Sequence, residues 1–165
     1  MHSKIKTFAL INLCAALIAF INPLPAYALP TDPKIVSGKV SFDQVDEKTL
    51  NVTASNKAIV DFGKFDIAKG ETVRFIQPDL KSTFLGRVTG GTGTDIFGDL
   101  FANGIIFLAN TAGIHFGAQS NVQVGGLIAT TLGIANQDFL RGNYSFGRQD
   151  GHALAPVFNE GTIRT

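Results

Sequence analysis

The chain has 165 residues, 45% of them hydrophobic and 16% charged, the make-up of one globular domain and not of a disordered tail or a polyelectrolyte. Fourteen Lys and Arg against thirteen Asp and Glu leave a formal charge of +1, too little for a basic face that tracks phosphates, so no nucleic-acid partner is expected. Eighteen Gly, fourteen Phe, no Trp and a single Cys suggest turns and strands without a disulfide framework, and hence an all-β domain.

Lys4 and Lys6 precede an apolar run from Thr7 to Ile21 in which only Thr7 and Asn12 are polar; Pro23 and Pro25 break it, and Ala26-Tyr27-Ala28 follows. A basic start, an apolar stretch short of the ~20 residues a membrane span needs, and an A-x-A site are the parts of a signal peptide. Residues 1–28 are therefore expected to be cleaved between Ala28 and Leu29 after export to the periplasm. An uncleaved anchor is disfavoured by the shortness of the run. Cys14 follows Leu13, where a lipoprotein signal would want a small residue, so the cysteine goes with the leader and the mature chain has none. A chain without cysteines cannot be stapled in an oxidising periplasm, which suits one exported again before it folds.

Residues 29–34, with two prolines, read as an extended lead-in. Strands are expected from Ile35, with short alternating runs at Lys39–Phe42, Leu50–Val52 and Val73–Phe75. No stretch shows a sustained helical period. From Gly86 the glycines crowd, and turns come every eight or nine residues, the mark of a repeating β-coil. Gly104-Ile105-Ile106-Phe107, Gly113-Ile114-His115-Phe116 and Asn121-Val122-Gln123-Val124 repeat a turn-former, an apolar, a variable and an apolar residue. Alternation would send Ile105, Phe107, Ile114, Phe116, Val122 and Val124 to one interior, and Ile106, His115 and Gln123 outward. A sandwich would want several two-residue hairpins, and Asn103-Gly104 could supply only one. A parallel coil with corner residues fits better. Ile106 and Leu108 then call for an extra layer outside that part of the coil.

Gly90-Gly91-Thr92-Gly93-Thr94-Asp95-Ile96-Phe97 matches one copy of a calcium-binding nonapeptide. Such sites share ions between successive copies, so a single copy reads as a Gly-rich turn entering the Ile96-Phe97 strand. After the leader, only His115 and His152 remain as histidines, without a metal-ligand spacing, so no metal or cofactor is expected. G-x-S-x-G, P-loop and G-x-G-x-x-G patterns are missing. Asp95 and Asp99 could be a sugar-cleaving carboxylate pair only on an unbroken strand, which Gly98 opposes; they read as solvated turn carboxylates. Asn51-Val52-Thr53 and Asn143-Tyr144-Ser145 are sequons by pattern alone and carry no weight. None of these patterns supports a catalytic site.

From Ile35 onward the chain resembles the two-partner secretion domain of filamentous haemagglutinin-like exoproteins, also called the haemagglutination activity domain. The segments that carry this are Ala58-Ile59-Val60 with Phe65-Asp66-Ile67, Val73–Pro78, Arg87–Gly91, Ala102-Asn103-Gly104 with Phe107-Leu108, Val122–Ile134, Asp138-Phe139-Leu140 and Gly142–Phe146. The resemblance implies a right-handed parallel β-helix with extra-helical strands over 35–165, the N-terminal part of such a domain. It implies a secretion-targeting module, without catalytic activity, of an adhesin-type exoprotein in a Gram-negative envelope, secreted or surface-exposed. The partner would be a cognate outer-membrane β-barrel transporter with periplasmic domains, and any contact with a host-cell surface would lie in coils downstream. The family's Asn-Pro-Asn-Gly-Ile secretion motif falls on Asn110-Thr111-Ala112-Gly113-Ile114, where Asn110, Gly113 and Ile114 match. The alternative is a self-contained secreted β-helical protein that binds or cleaves polysaccharide, which needs convergent carboxylates or aromatic platforms. Nothing after Val157-Phe158 resembles a cap, so the coil is expected to end open, as the front of a longer or interrupted protein, with a tendency to associate end to end.

Overall fold

The computed structural model describes residues 28–148, 151, 153 and 155–165, so the leader before Ala28 and His152 lie outside the described residues. The order is β1 (Lys34–Ser37), β2 (Val40–Asp46), β3 (Thr49–Ala54), β4 (Ala58–Phe62), β5 (Thr72–Ile76), β6 (Thr83–Val88), β7 (Thr94–Ile96), β8 (Asp99–Ala102), β9 (Ile105–Ala109), β10 (Ile114–Phe116), β11 (Asn121–Gln123), β12 (Gly126–Thr130), α1 (Asn136–Arg141), β13 (Val157–Asn159) and β14 (Thr162–Arg164). Three sheets form, ordered β14-β11-β8-β5-β3-β2, β1-β4-β6-β9-β12 and β13-β10-β7. The chain visits them in rotation, so each circuit stacks in parallel on the one before: Val73 pairs with Leu100, Leu100 with Val122, and Val122 with Ile163. The result is a β-solenoid of about four turns with three faces.

The solenoid's start is covered by chain that runs the other way. β2 pairs antiparallel with β3 and β1 antiparallel with β4, so the unpaired backbone groups of the first turn meet partners instead of water. The lead-in is docked too, through mutual Thr31–Lys64 bridging and a Gly63 N–H donated to the Thr31 carbonyl at 3.0 Å. Inside, Phe62, Phe65, Phe75 and Phe84 form a chain of ring contacts at 4.6–6.4 Å that fills the first two turns, and all four are 2% exposed or less.

At β9 the alternation runs opposite to the sequence expectation. Ile106 and Leu108 point into the main core, while Phe107 and Ala109 join a second cluster with Ile59, Leu85, Ile134 and Phe139. β10 and β11 follow the expected phase, with Ile114, Phe116 and Val122 inside. The expected extra layer exists, but it covers Ile59, Leu85 and Phe107, not Ile106 and Leu108. Its centre is a helix that the sequence did not announce. Phe139 on α1 is fully buried, its ring 5.3 Å from Phe107, with Tyr144 4.6 Å and Phe146 6.3 Å from the same Phe107. Polar ties hold the layer at both ends. Lys57 Nζ donates to the Leu140 carbonyl at 2.6 Å, and Arg87 donates to Asp61 at 2.7 Å and to Asn136 at 2.6 Å.

The candidate recognition corner

The corner between β9 and β10 is built around Asn110, which is 2% exposed. Its Nδ2 donates to the Thr92 carbonyl and to Thr94 Oγ1, both at 2.9 Å, while its Oδ1 accepts the Ala112 N–H at 2.9 Å. Its backbone is engaged as well: Asn110 N–H donates to the Thr130 carbonyl at 2.9 Å, and its carbonyl accepts the Gly113 N–H at 3.1 Å. One asparagine thus closes its own turn and ties it to the turn of the preceding circuit and the strand of the following one. Its side-chain amide is spent internally.

Gly113 has φ +109°, a left-handed value that side chains with a Cβ rarely adopt. A Cβ there would also sit 3.3 Å from the Pro156 carbonyl oxygen. Ile114 is 2% exposed and belongs to the main core. The structure therefore brings Asn110, Gly113 and Ile114 together, but as the inner wall of the corner. What the corner offers to solvent is Thr111, half-buried, and Ala112, exposed, the two positions where the chain departs from the family motif.

Beside the corner, His115 lies on the outer face of β10, its side chain one-third exposed. Its Nε2 is 2.9 Å from Glu160 and its Nδ1 3.5 Å from Asp95, with the Phe97 ring edge-on at 5.4 Å. The hydrogen bond to Glu160, helped by the charges of Glu160 and Asp95, raises its pKa above the usual histidine value, outweighing partial desolvation. One circuit earlier, Asp66 accepts the Asp95 N–H at 2.9 Å, and burial raises its pKa despite that bond.

Asp95 and Asp99 do not converge. Asp95 stands on β7 and Asp99 on β8, in different sheets, with the Phe97-Gly98 corner between them. That corner needs glycine because a Cβ on Gly98 would collide with the Ala68 and Glu71 carbonyl oxygens. Gly91, at φ +79°, turns the Gly-rich segment into β7, which spans Thr94–Ile96 and leaves Phe97 outside the strand. Among the described residues, no three His, Cys, Asp or Glu side chains are grouped to hold a metal ion.

Ile106 is interior, so it is no part of an outward surface. Gln123 is outward, and it shares a register row with Arg74, Phe101 and Arg164. An open groove of about 620 Å³ crosses this row, floored in part by Ile76 and Leu80. The Arg74 guanidinium lies 4.9 Å above the Phe101 ring.

A second polar staple escaped sequence reasoning. Asn103 and Gln77 sit one circuit apart: Asn103 Oδ1 accepts the Gln77 N–H and its Nδ2 donates to the Gln77 carbonyl, both at 2.7 Å. The Gln77 side chain in turn donates to the Ser82 carbonyl at 2.8 Å and accepts the Gly104 N–H at 3.2 Å. Asn103-Gly104 is thus a solenoid corner between β8 and β9, not a hairpin. The legible signal was a Gln before Pro and an Asn before Gly, each closing a strand.

Compared with known proteins, residues 24–158 match the family model for the TPS secretion domain. Over 147 residues the chain is 31% identical to a heme/hemopexin-binding protein of Haemophilus influenzae, covering 88% of this chain and 16% of that protein. A second heme/hemopexin-binding protein, from H. influenzae strain ATCC 51907 / DSM 11121 / KW20 / Rd, is 35% identical over 103 residues, 62% of this chain and 11% of that one. The chain thus spans less than a fifth of the length of these relatives. Among solved structures, the crystal structure of the HMW1 secretion domain from H. influenzae superimposes with a TM-score of 0.79 at 31% identity, covering 81% of this chain and 36% of that chain.

Proposed function

The chain belongs to the TPS secretion-domain family, the targeting module of two-partner exoproteins, and on that premise we propose that its β9–β10 corner is read by the periplasmic domains of a cognate outer-membrane β-barrel transporter. In this reading residues 1–28 are a signal peptide removed between Ala28 and Leu29, residues 29–34 are the docked lead-in, and residues 35–165 are the coil. The coil is right-handed, as nearly all parallel strand crossovers are. The exoprotein reaches the cell surface or the medium, and any adhesive contact belongs to sequence downstream of this module.

The observation that supports the corner is the division of labour within it. Asn110, Gly113 and Ile114 are turned inward and set the shape, while Thr111 and Ala112 are presented on a backbone held rigid by five hydrogen bonds of one asparagine. A rigid turn on a solenoid flank loses little conformational entropy when a partner closes on it. Binding of the purified transporter's periplasmic domains to this chain tests the reading. Ala112→Arg, on an exposed position, should weaken binding about tenfold or more without moving the melting temperature. Unchanged binding by that variant would remove the corner from the interface.

A further inference from the structure

Glu71, at the corner before β5, is 2% exposed. Its Oε2 accepts the Ala68 N–H at 2.7 Å and its Oε1 accepts the Ala28 N–H at 2.8 Å. Among the described residues, no Lys or Arg lies within ion-pair distance of this carboxylate. A buried carboxylate without a cation is costly, and such groups are normally paired. Its one long-range donor among the described residues is the residue at which the leader is expected to be cut.

We propose that Glu71 is the seat of the α-ammonium group created when the leader is removed. The inference rests on the processing reading above, in which a signal peptidase adds water across the Ala28–Leu29 peptide bond. Ala28 leaves with the leader as a carboxylate, and Leu29 gains an ammonium. The Ala28 N–H is lost from Glu71 at that step. The new cation starts one residue along the chain from the lost donor, at most ~3.6 Å from the position of the Ala28 nitrogen, and Leu29 is already packed against the main core. A neutral amide donor is replaced by a charged one, which gives the shorter and stronger type of hydrogen bond. The corner that receives it also carries β8, because the Glu71 carbonyl accepts the Asp99 N–H at 2.9 Å. Leader removal therefore bolts the lead-in to the second circuit.

The test uses processed protein recovered from the periplasm, with its start read by intact mass. Selective acylation of the α-amine near neutral pH should be at least tenfold slower than for the same protein carrying Glu71→Gln, and acylation once forced should lower the melting temperature by several degrees. Should Glu71→Gln fail to fold, the wild-type rate is compared with that of the urea-unfolded chain, and the same tenfold protection is expected. A start at Leu29 with an unprotected amine overturns the seat and leaves the processing reading intact. A start elsewhere overturns the processing reading, and the seat with it.

Discussion

Asn110 is the residue on which the corner depends, and its loss has a definite cost. Asn110→Ala would leave the Thr92 carbonyl, the Ala112 N–H and the buried Thr94 hydroxyl without this partner, and a buried polar group such as that hydroxyl costs about 1–3 kcal/mol when left unpaired. A melting temperature lowered by several degrees is expected, and export should fall with it. Gly113→Val should behave likewise, because it forces a branched side chain to φ +109° at a cost of about 1–3 kcal/mol. Stability measured beside transporter binding therefore distinguishes these shape-setting residues from Ala112; an Asn110→Ala variant that melts like wild type would contradict its role as a staple.

His115 supplies a pH signature. The Glu160 hydrogen bond raises its folded-state pKa above the unfolded value near 6.5. The stability it adds is fully present below about pH 6.5 and is lost as pH rises through the higher folded value. The melting-temperature gap between wild type and His115→Gln should be wider at pH 6 than at pH 9, where only the ring contacts of the neutral imidazole remain. A gap that widens with pH would contradict the assigned contact. Asparagine and histidine were both visible in the sequence, but their side-chain partners on neighbouring circuits, 16 to 45 residues away, were not.

Among the elements, β9 shows where pattern reading fails and why. Ile105-Ile106-Phe107-Leu108-Ala109 is apolar at every position, so alternation cannot choose a face; burial on both sides is what such a run reports. β10 carries one polar side chain between two apolar ones and β11 one apolar between two polar, and there the interior was legible. The helix escaped for a different reason. Six residues are fewer than two turns, too short for a period to show, although Arg141 in the last turn and Gly142 in the left-handed conformation are ordinary end signals. Phe139→Ala empties the centre of the layer outside β4, β6 and β9 and should cost about 3–5 kcal/mol, read by denaturant unfolding. A loss under ~1 kcal/mol would mean that the layer is dispensable to the solenoid.

For the whole molecule, the parallel coil was legible because turn-formers recur at the pitch of one strand, and the extra-helical strands were implied by the family resemblance. Their cause is physical: an open first circuit would expose a row of backbone groups, and β1 and β2 cover it. At the other end, among the described residues, β12, β13 and β14 each have a partner on one side only, and Val157 and Phe158 are 43% and 59% exposed. That end presents unpaired strand edges next to apolar side chains, so association that grows with concentration is expected of the isolated chain, read by size-exclusion chromatography. A monomer that stays monomeric at every concentration would show those edges to be protected.

The most direct measurement joins an unstructured, cysteine-free, epitope-tagged passenger behind Thr165 and follows it in cells with and without the cognate outer-membrane transporter. The expected result is passenger outside the cell only when the transporter is present, and retention in the periplasm when Ala112→Arg is introduced into an otherwise stable chain. Release that is equal with and without the transporter, or retention in both cases by a chain that melts like wild type, would contradict the assignment of this solenoid as the address of a two-partner exoprotein.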